Sequence, residues 1–328
     1  MIDFRYHLVS IIAVFLALAV GLAVGSTALT GTAEQALTAA QHRLTSQNKA
    51  LTKQNGNLQK QVAGDQAFAE ANSARLLAGL LTGEHVVLIA APGADNAVTS
   101  GLTTALREAG ATVTGQVNLL SPFTTTSGQT EAQLSQLAQN LANNAGLALT
   151  AVPDSTVSAQ QEAARVLAAG LLASGASLPS SASQSILTGF TGSGFISVAS
   201  GAPASVPANL AVLVTPSGPP PQQGMSDVLM AVAAELKAAG GATVMAGAVS
   251  SIGSGSAITA ENDAGPAVST VDNADTEIGQ ILVVQALRFL LDGKAPAAYG
   301  AQPAAAPSPG PTPSVAATPK PTSSVRGH

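Results

Sequence analysis

The sequence predicts an α/β protein: an N-terminal transmembrane helix and coiled coil, followed by a mostly parallel sheet with helices on both faces. Three observations predict it. An uncharged apolar run lies near the start, leucines then recur every seven residues, and from residue 84 short apolar runs alternate with helical patterns. The segments are an anchor over 1–30, a coil helix over 31–80, an extracytoplasmic α/β domain over 84–300 and a Pro/Ala-rich disordered tail over 301–328.

Leu8 to Val24 reads LVSIIAVFLALAVGLAV, without charge or proline. Extended to Leu29, it covers about the twenty residues a helix needs to cross a bilayer. Arg5 precedes it and no further Lys or Arg follows until Arg43, which favours a cytoplasmic N-terminus and an exported remainder. A cleaved signal is the alternative, with Ala23-Val24-Gly25 or Ser26-Thr27-Ala28 as its exit. The apolar run exceeds the roughly 7–15 residues of a signal core, which favours a retained anchor. Ala13, Ala17, Gly21 and Gly25 share one helical face, and the Gly21–Gly25 pair would let two backbones approach. An Ala/Gly-rich helix also produces that spacing by chance.

Composition narrows the classes. Aromatics are 3% of the chain and tryptophan is absent, so small aliphatic side chains must fill the core. The net charge is −5 with no basic cluster, which argues against nucleic acid as a partner. There is no cysteine, which excludes disulfides, thiolate metal sites and cysteine catalysis.

Leu37, Leu44, Leu51 and Leu58 repeat at seven-residue intervals. With these as d positions, the a positions are Gln41, Asn48, Asn55 and Val62. Asparagine at a fixes register in two-stranded coils at a cost in stability. The pattern predicts a weak parallel homodimer; a single amphipathic helix packed on its own domain is the alternative. Gly56 and Gly64 each weaken the helix by about 1 kcal/mol relative to alanine.

His85 to Pro92 is a continuous apolar run, as in a strand buried on both faces. A helix over Asn96–Ala109 and a strand over Ala111–Val117 follow, giving a parallel pair with a right-handed crossover. Helices are expected near Thr130–Asn143 and Ser155–Ala173. The serine- and glycine-rich stretch from Leu178 to Gly201 offers only a short strand at Phe195–Val198. The alternation resumes with a strand at Leu210–Val214, a helix at Ser226–Ala239, a strand at Ala242–Gly247 and a last strand at Ala267–Val271. Gly253-Ser254-Gly255-Ser256 reads as a flexible loop. A final helix spans Thr276–Leu291, capped by Asp275. Seven prolines between Pro303 and Pro321 favour an extended tail.

The opening MIDFRYHLVSIIAVFLALAVGLAVGS resembles the N-terminus of the actinobacterial copper transport family called MctB. The coil, the strand EHVVLIAAPGA, and STVDNADTEIGQ followed by an apolar helix and Tyr299-Gly300 are also similar to that family. The more specific pieces are Arg5-x-His7-Leu8-Val9-Ser10 and Ser269 to Asn273. The resemblance covers roughly residues 1–300. It implies copper export or tolerance, with copper as the transported ion, and a channel in the outer envelope membrane; from the sequence motifs no enzymatic activity is expected. The residues themselves argue against a membrane barrel, which needs many strands of about 10 residues with alternating faces.

Copper donors are sparse. Cu(I) prefers Cys and Met, and imidazole suits Cu(II). His7, His42, His85 and His328 lie far apart, and Met225, Met230 and Met245 suit core packing at least as well as a metal. His85, Met225, Met230 and Met245 stand as the weak metal candidates. Ligands of parallel sheets bind at the carboxyl ends of the strands, where Asp95, Ser217, Ser250, Ser251, Asp272 and Asn273 are expected. Of these, Asp95, Asp272 and Asn273 are the weak ligand candidates, against a plain capping role. No glycine pattern matches a dinucleotide loop, and no hydrolase motif is present. The competing functional reading is a non-catalytic scaffold that presents the domain to envelope proteins.

Overall fold

The computed structural model describes residues 4–149, 157–173, 178–199, 207–253 and 255–301. The tail reading over 302–328 and the expected helix start at Ser155 lie outside them. The chain divides into two compact units, Met1–Asp65 and Gln66–His328.

Helix α1 spans Phe4–Leu77, and neither Gly56 nor Gly64 interrupts it. Its first unit holds the 20-residue apolar stretch Tyr6–Gly25, none of which is buried. At about 1.5 Å per residue this stretch is about 30 Å long, the thickness of a bilayer's hydrocarbon core. Leu37, Leu44, Leu51 and Leu58 are likewise exposed.

In the second unit the last turns of α1 bury Ala69, Ser73 and Leu77. Strand β1 (His85–Ala90), helix α2 (Asn96–Glu108) and strand β2 (Thr112–Leu119) follow. Helices α3 (Gly128–Ala145), α4 (Ser158–Leu171) and α5 (Ser180–Gly192) precede β3 (Ile196–Val198). Then come β4 (Leu210–Val214), α6 (Met225–Ala238), β5 (Ala242–Ala246) and a 3-10 turn at Val249–Ser251. Helix α7 (Ala257–Ala264), β6 (Ser269–Val271), α8 (Glu277–Leu291) and β7 (Ala298–Tyr299) complete the order.

The strands form one sheet in the order β3-β2-β1-β4-β5-β6-β7, parallel except for β3. Strand side chains alternate in direction, so each central strand feeds two apolar clusters. Val87, Ile89, Ala211, Leu213 and Met245 join a cluster with side chains of α3 to α7. Val86, Leu88, Val212, Val244 and Val271 join another, with the end of α1, α2 and α8.

Four features differ from the sequence expectation. The serine-rich stretch contains α5, because Ile186, Leu187 and Phe190 bury one face of it and outweigh weak helix propensity. The glycine–serine loop ends by capping α7, where the Ser256 hydroxyl accepts the Thr259 N–H. The cap of α8 is Thr276, whose hydroxyl accepts the Gly279 N–H, while Asp275 accepts the Val249 N–H. The last strand is β7. It is parallel to β6, and Asp272 holds it by accepting the Ala301 N–H at 2.6 Å.

Two glycines permit this arrangement. A Cβ at Gly279 would overlap the carbonyl of Asn273, and one at Gly300, whose φ is +126°, would overlap the Asp272 carboxylate. Gly279→Ala is therefore expected to cost about 1–3 kcal/mol in chemical denaturation, the usual range for overpacking. Burial also pushes the Tyr299 phenol up. A raised folded-state value means that this contribution to stability is lost as pH rises above the ordinary tyrosine range near about 10. Tyr299→Phe should remove that component from the alkaline stability profile.

Candidate functional site

The strand order reverses between β1 and β4, and doubly wound sheets bind ligands at the carboxyl ends of the strands flanking such a point. Here the chain closes the crevice itself. The Ala91 N–H donates to Val214 O at 2.9 Å, and the Ser217 N–H donates to Gly93 O at 2.9 Å. Gly93, at φ +85°, sits against Pro216 and Pro221. One step along the edge, Thr215, Ser251 and Ile258 crowd Gly247 so closely that no Cβ fits there.

The edge carboxylates are committed to backbone. Asp95 caps α2 by accepting the Ala97 N–H at 2.8 Å. Asp272 is buried and accepts the Ala301 N–H. The Asn273 carbonyl accepts both the N–H and the hydroxyl of Thr276. Its Oδ1 is buried with no hydrogen-bond partner among the described residues. Asp95 and Asp272 follow strands three steps apart in the sheet, about 14 Å by strand spacing, so they do not converge on one ligand. Ser251 is buried and donates to Ala248 O, while Ser250 is exposed.

The metal candidates are scattered as well. His85 begins β1 at the opposite, amino edge, where its backbone pairs with Asn209. Met225 and Met245 are fully buried in the α3–α7 cluster. Met230 lies five residues along α6 from Met225, about 140° around the helix. His85 and Met245 are separated by two strand steps and four residues of rise, about 16 Å. Among the described residues, no group of three or more His, Asp or Glu side chains gathers as a metal site.

A roomy concavity lies elsewhere on the carboxyl side. A cavity of about 640 Å³ is lined by Thr124 to Ser127 after β2, by Gln222, Gln223, Gly224 and Asp227 at the start of α6, and by Val157 before α4. Two hydrogen bonds fix its walls: Thr124 Oγ1 donates to Gln222 Oε1 at 2.5 Å, and Gln160 Nε2 donates to Thr125 O at 2.6 Å. Its polar lining is hydroxyls, amides and one carboxylate, a set suited to hard or neutral polar groups rather than to soft copper. None of the residues singled out from sequence lines it. The run Thr124-Thr125-Thr126-Ser127 after a strand was the available signal.

Sequence comparison supplies what the geometry leaves open. A model of the family described as "Copper transport outer membrane protein, MctB" matches residues 1–309. The "Copper transporter MctB" of Mycobacterium leprae is 31% identical over 316 residues, covering 92% of this chain and 96% of that protein. The protein of the same name from Mycobacterium tuberculosis strain H37Rv is 28% identical over 309 residues, with the same coverage. The match runs through the apolar helix, the heptad segment and the α/β domain together, and on that ground the chain belongs to the MctB family.

Proposed function

We propose that this protein serves copper transport or copper homeostasis in the cell envelope. In this reading Tyr6–Gly25 is a retained membrane anchor, and the second unit is an extracytoplasmic parallel sheet with helices on both faces. The observation that carries the reading is the family match, which spans both the anchor and the domain. The apolar stretch supports the anchor, since none of it is buried by the protein and its length matches a bilayer's hydrocarbon core. The absence of charge between Leu8 and Val24, with Arg5 before it, supports the exported orientation. The family's description, which names an outer membrane protein, supports the outer envelope membrane as the membrane this anchor enters.

The sheet itself offers no passage for an ion. Its described strands are two to eight residues long, shorter than the roughly 9–11 of a membrane-crossing strand. Apolar clusters pack both sets of alternating side chains. Copper is therefore read as cargo handled by an assembly, and not as an ion resident in this domain. The domain is read as non-catalytic, since Asp95 and Asp272 are spent on backbone. That commitment of the carboxylates also favours a second reading, a scaffold that presents the domain to other envelope proteins.

Deleting the gene is expected to raise cellular copper and lower the copper concentration that stops growth. Unchanged copper content and tolerance, together with capture of envelope proteins by the tagged chain, would favour the scaffold. Met225→Leu and Met245→Leu should leave copper tolerance intact and cost under about 1.5 kcal/mol each, as volume-conserving core changes. A loss of tolerance in folded protein would make those thioethers copper ligands.

A further inference from the structure

Among the described residues of the first unit, the heptad leucines that follow the apolar stretch are exposed. Leu37, Leu44, Leu51 and Leu58 are 62, 65, 62 and 50% exposed, and Val62 is 56% exposed. At 100° per residue these side chains fall within about 60° of one another on α1. They form a narrow apolar stripe rather than the broad face of a helix that packs on a domain.

Charge is sorted around that stripe. Between Gln35 and Gly64 the charged residues are Arg43, Lys49, Lys53 and Lys60, with no Asp or Glu. All four fall at b, c or f of the heptad, away from the seam. Every e and g position from Thr38 to Gln61 is threonine, glutamine or alanine. These flanks usually carry the charges that choose a partner, so nothing here selects a different chain or repels an identical one. Two strands carrying four positive charges each would repel if those charges flanked the seam, and their outward placement avoids that.

The polar members of the seam point to the same occupant. Gln41, Asn48 and Asn55 stand at a, and each amide carries both donor and acceptor. Across a two-fold axis each amide meets its own copy and can satisfy it, which a lone Lys or Asp at the same place could not. Slipped by one heptad, Asn55 would face Val62 and lose its amide partner.

We propose that residues 37–62 pair with a second copy of this chain as a parallel, in-register two-stranded coil, with Asn48 facing Asn48 and Asn55 facing Asn55. A common membrane fixes the parallel sense, because both helices enter it with the same polarity. The pairing stands independently of the copper role. It presents the basic ridge of Lys49, Lys53 and Lys60 on the outside of each strand.

The chain has no cysteine, so single substitutions report the geometry directly. The full-length protein in native membranes would be oxidised mildly after Asn48→Cys, Leu51→Cys or Lys53→Cys. Disulfide formation needs Cα atoms within about 7 Å, a separation reached in the seam and not at f. The seam variants are expected to give at least about tenfold more covalent dimer than Lys53→Cys. A mixture of Leu37→Cys and Val62→Cys chains is expected to give no mixed cross-link. Equal cross-linking at all three positions, its absence at the seam, or an efficient mixed product from Leu37→Cys and Val62→Cys would each overturn the proposal. Dimers held only by the apolar helix would lack the seam pattern, so that contact cannot mimic the result.

Discussion

Val86 to Ala90 and Leu210 to Val214 lie side by side at the centre of the sheet with every side chain buried. Burial on both faces is the constraint from which the rest of this unit follows. Alternate residues enter two separate clusters, and each needs apolar side chains from elsewhere in the chain. The last turns of α1 meet part of that demand through Ala69 and Leu77. The core is built largely from Ala, Val and Leu, with Phe123 and Phe190 the largest fully buried side chains. Small side chains bring elements close, and Gly279 against Asn273 and Gly101 against Gln280 are examples.

The same economy shapes the sheet's functional edge. Doubly wound sheets ordinarily leave room where the strand order reverses. Here Pro216 and Pro221 lie on Gly93, and backbone hydrogen bonds join the two loops. Asp95, Asp272 and Asp275 each accept a backbone N–H, which ties the loops of this edge together. Buried charge elsewhere follows the same rule. Glu261 accepts the Ala267 and Val268 N–H groups, and Glu235 takes a paired contact from Arg165. The hydrogen bond to Glu235 raises the Arg165 value against the opposing effect of burial.

What the sequence revealed follows from the kind of signal each element carries. Strands β1 and β4 were legible because burial on both faces demands an unbroken apolar run. Helix α5 was not, since SSASQS has weak helix propensity and only contacts made by Ile186, Leu187 and Phe190 hold it. Strand β7 is two residues long and exists only through pairing with β6 and the Asp272 clamp. Asp95 follows β1, and Asp272 and Asn273 follow β6; Asp95 and Asn273 make local turn and cap bonds, whereas the Asp272 clamp on Ala301 depends on a segment distant in sequence. The cavity beside α6 draws on three separate segments, and the hydroxyl run Thr124 to Ser127 is a local signal for one of them alone. The family was legible because RYHLVS and STVDN are specific strings; the route of copper is not encoded in any comparable string.

In the proposed reading an anchored domain, without a copper donor cluster of its own among the described residues, acts in copper handling from within the envelope membrane. The most direct measurement is cellular copper in a deletion strain that expresses either the full chain or residues 31–328 exported by a cleavable signal. The account predicts that the full chain restores low copper and that the released form does not. Equal restoration by the released form would contradict it.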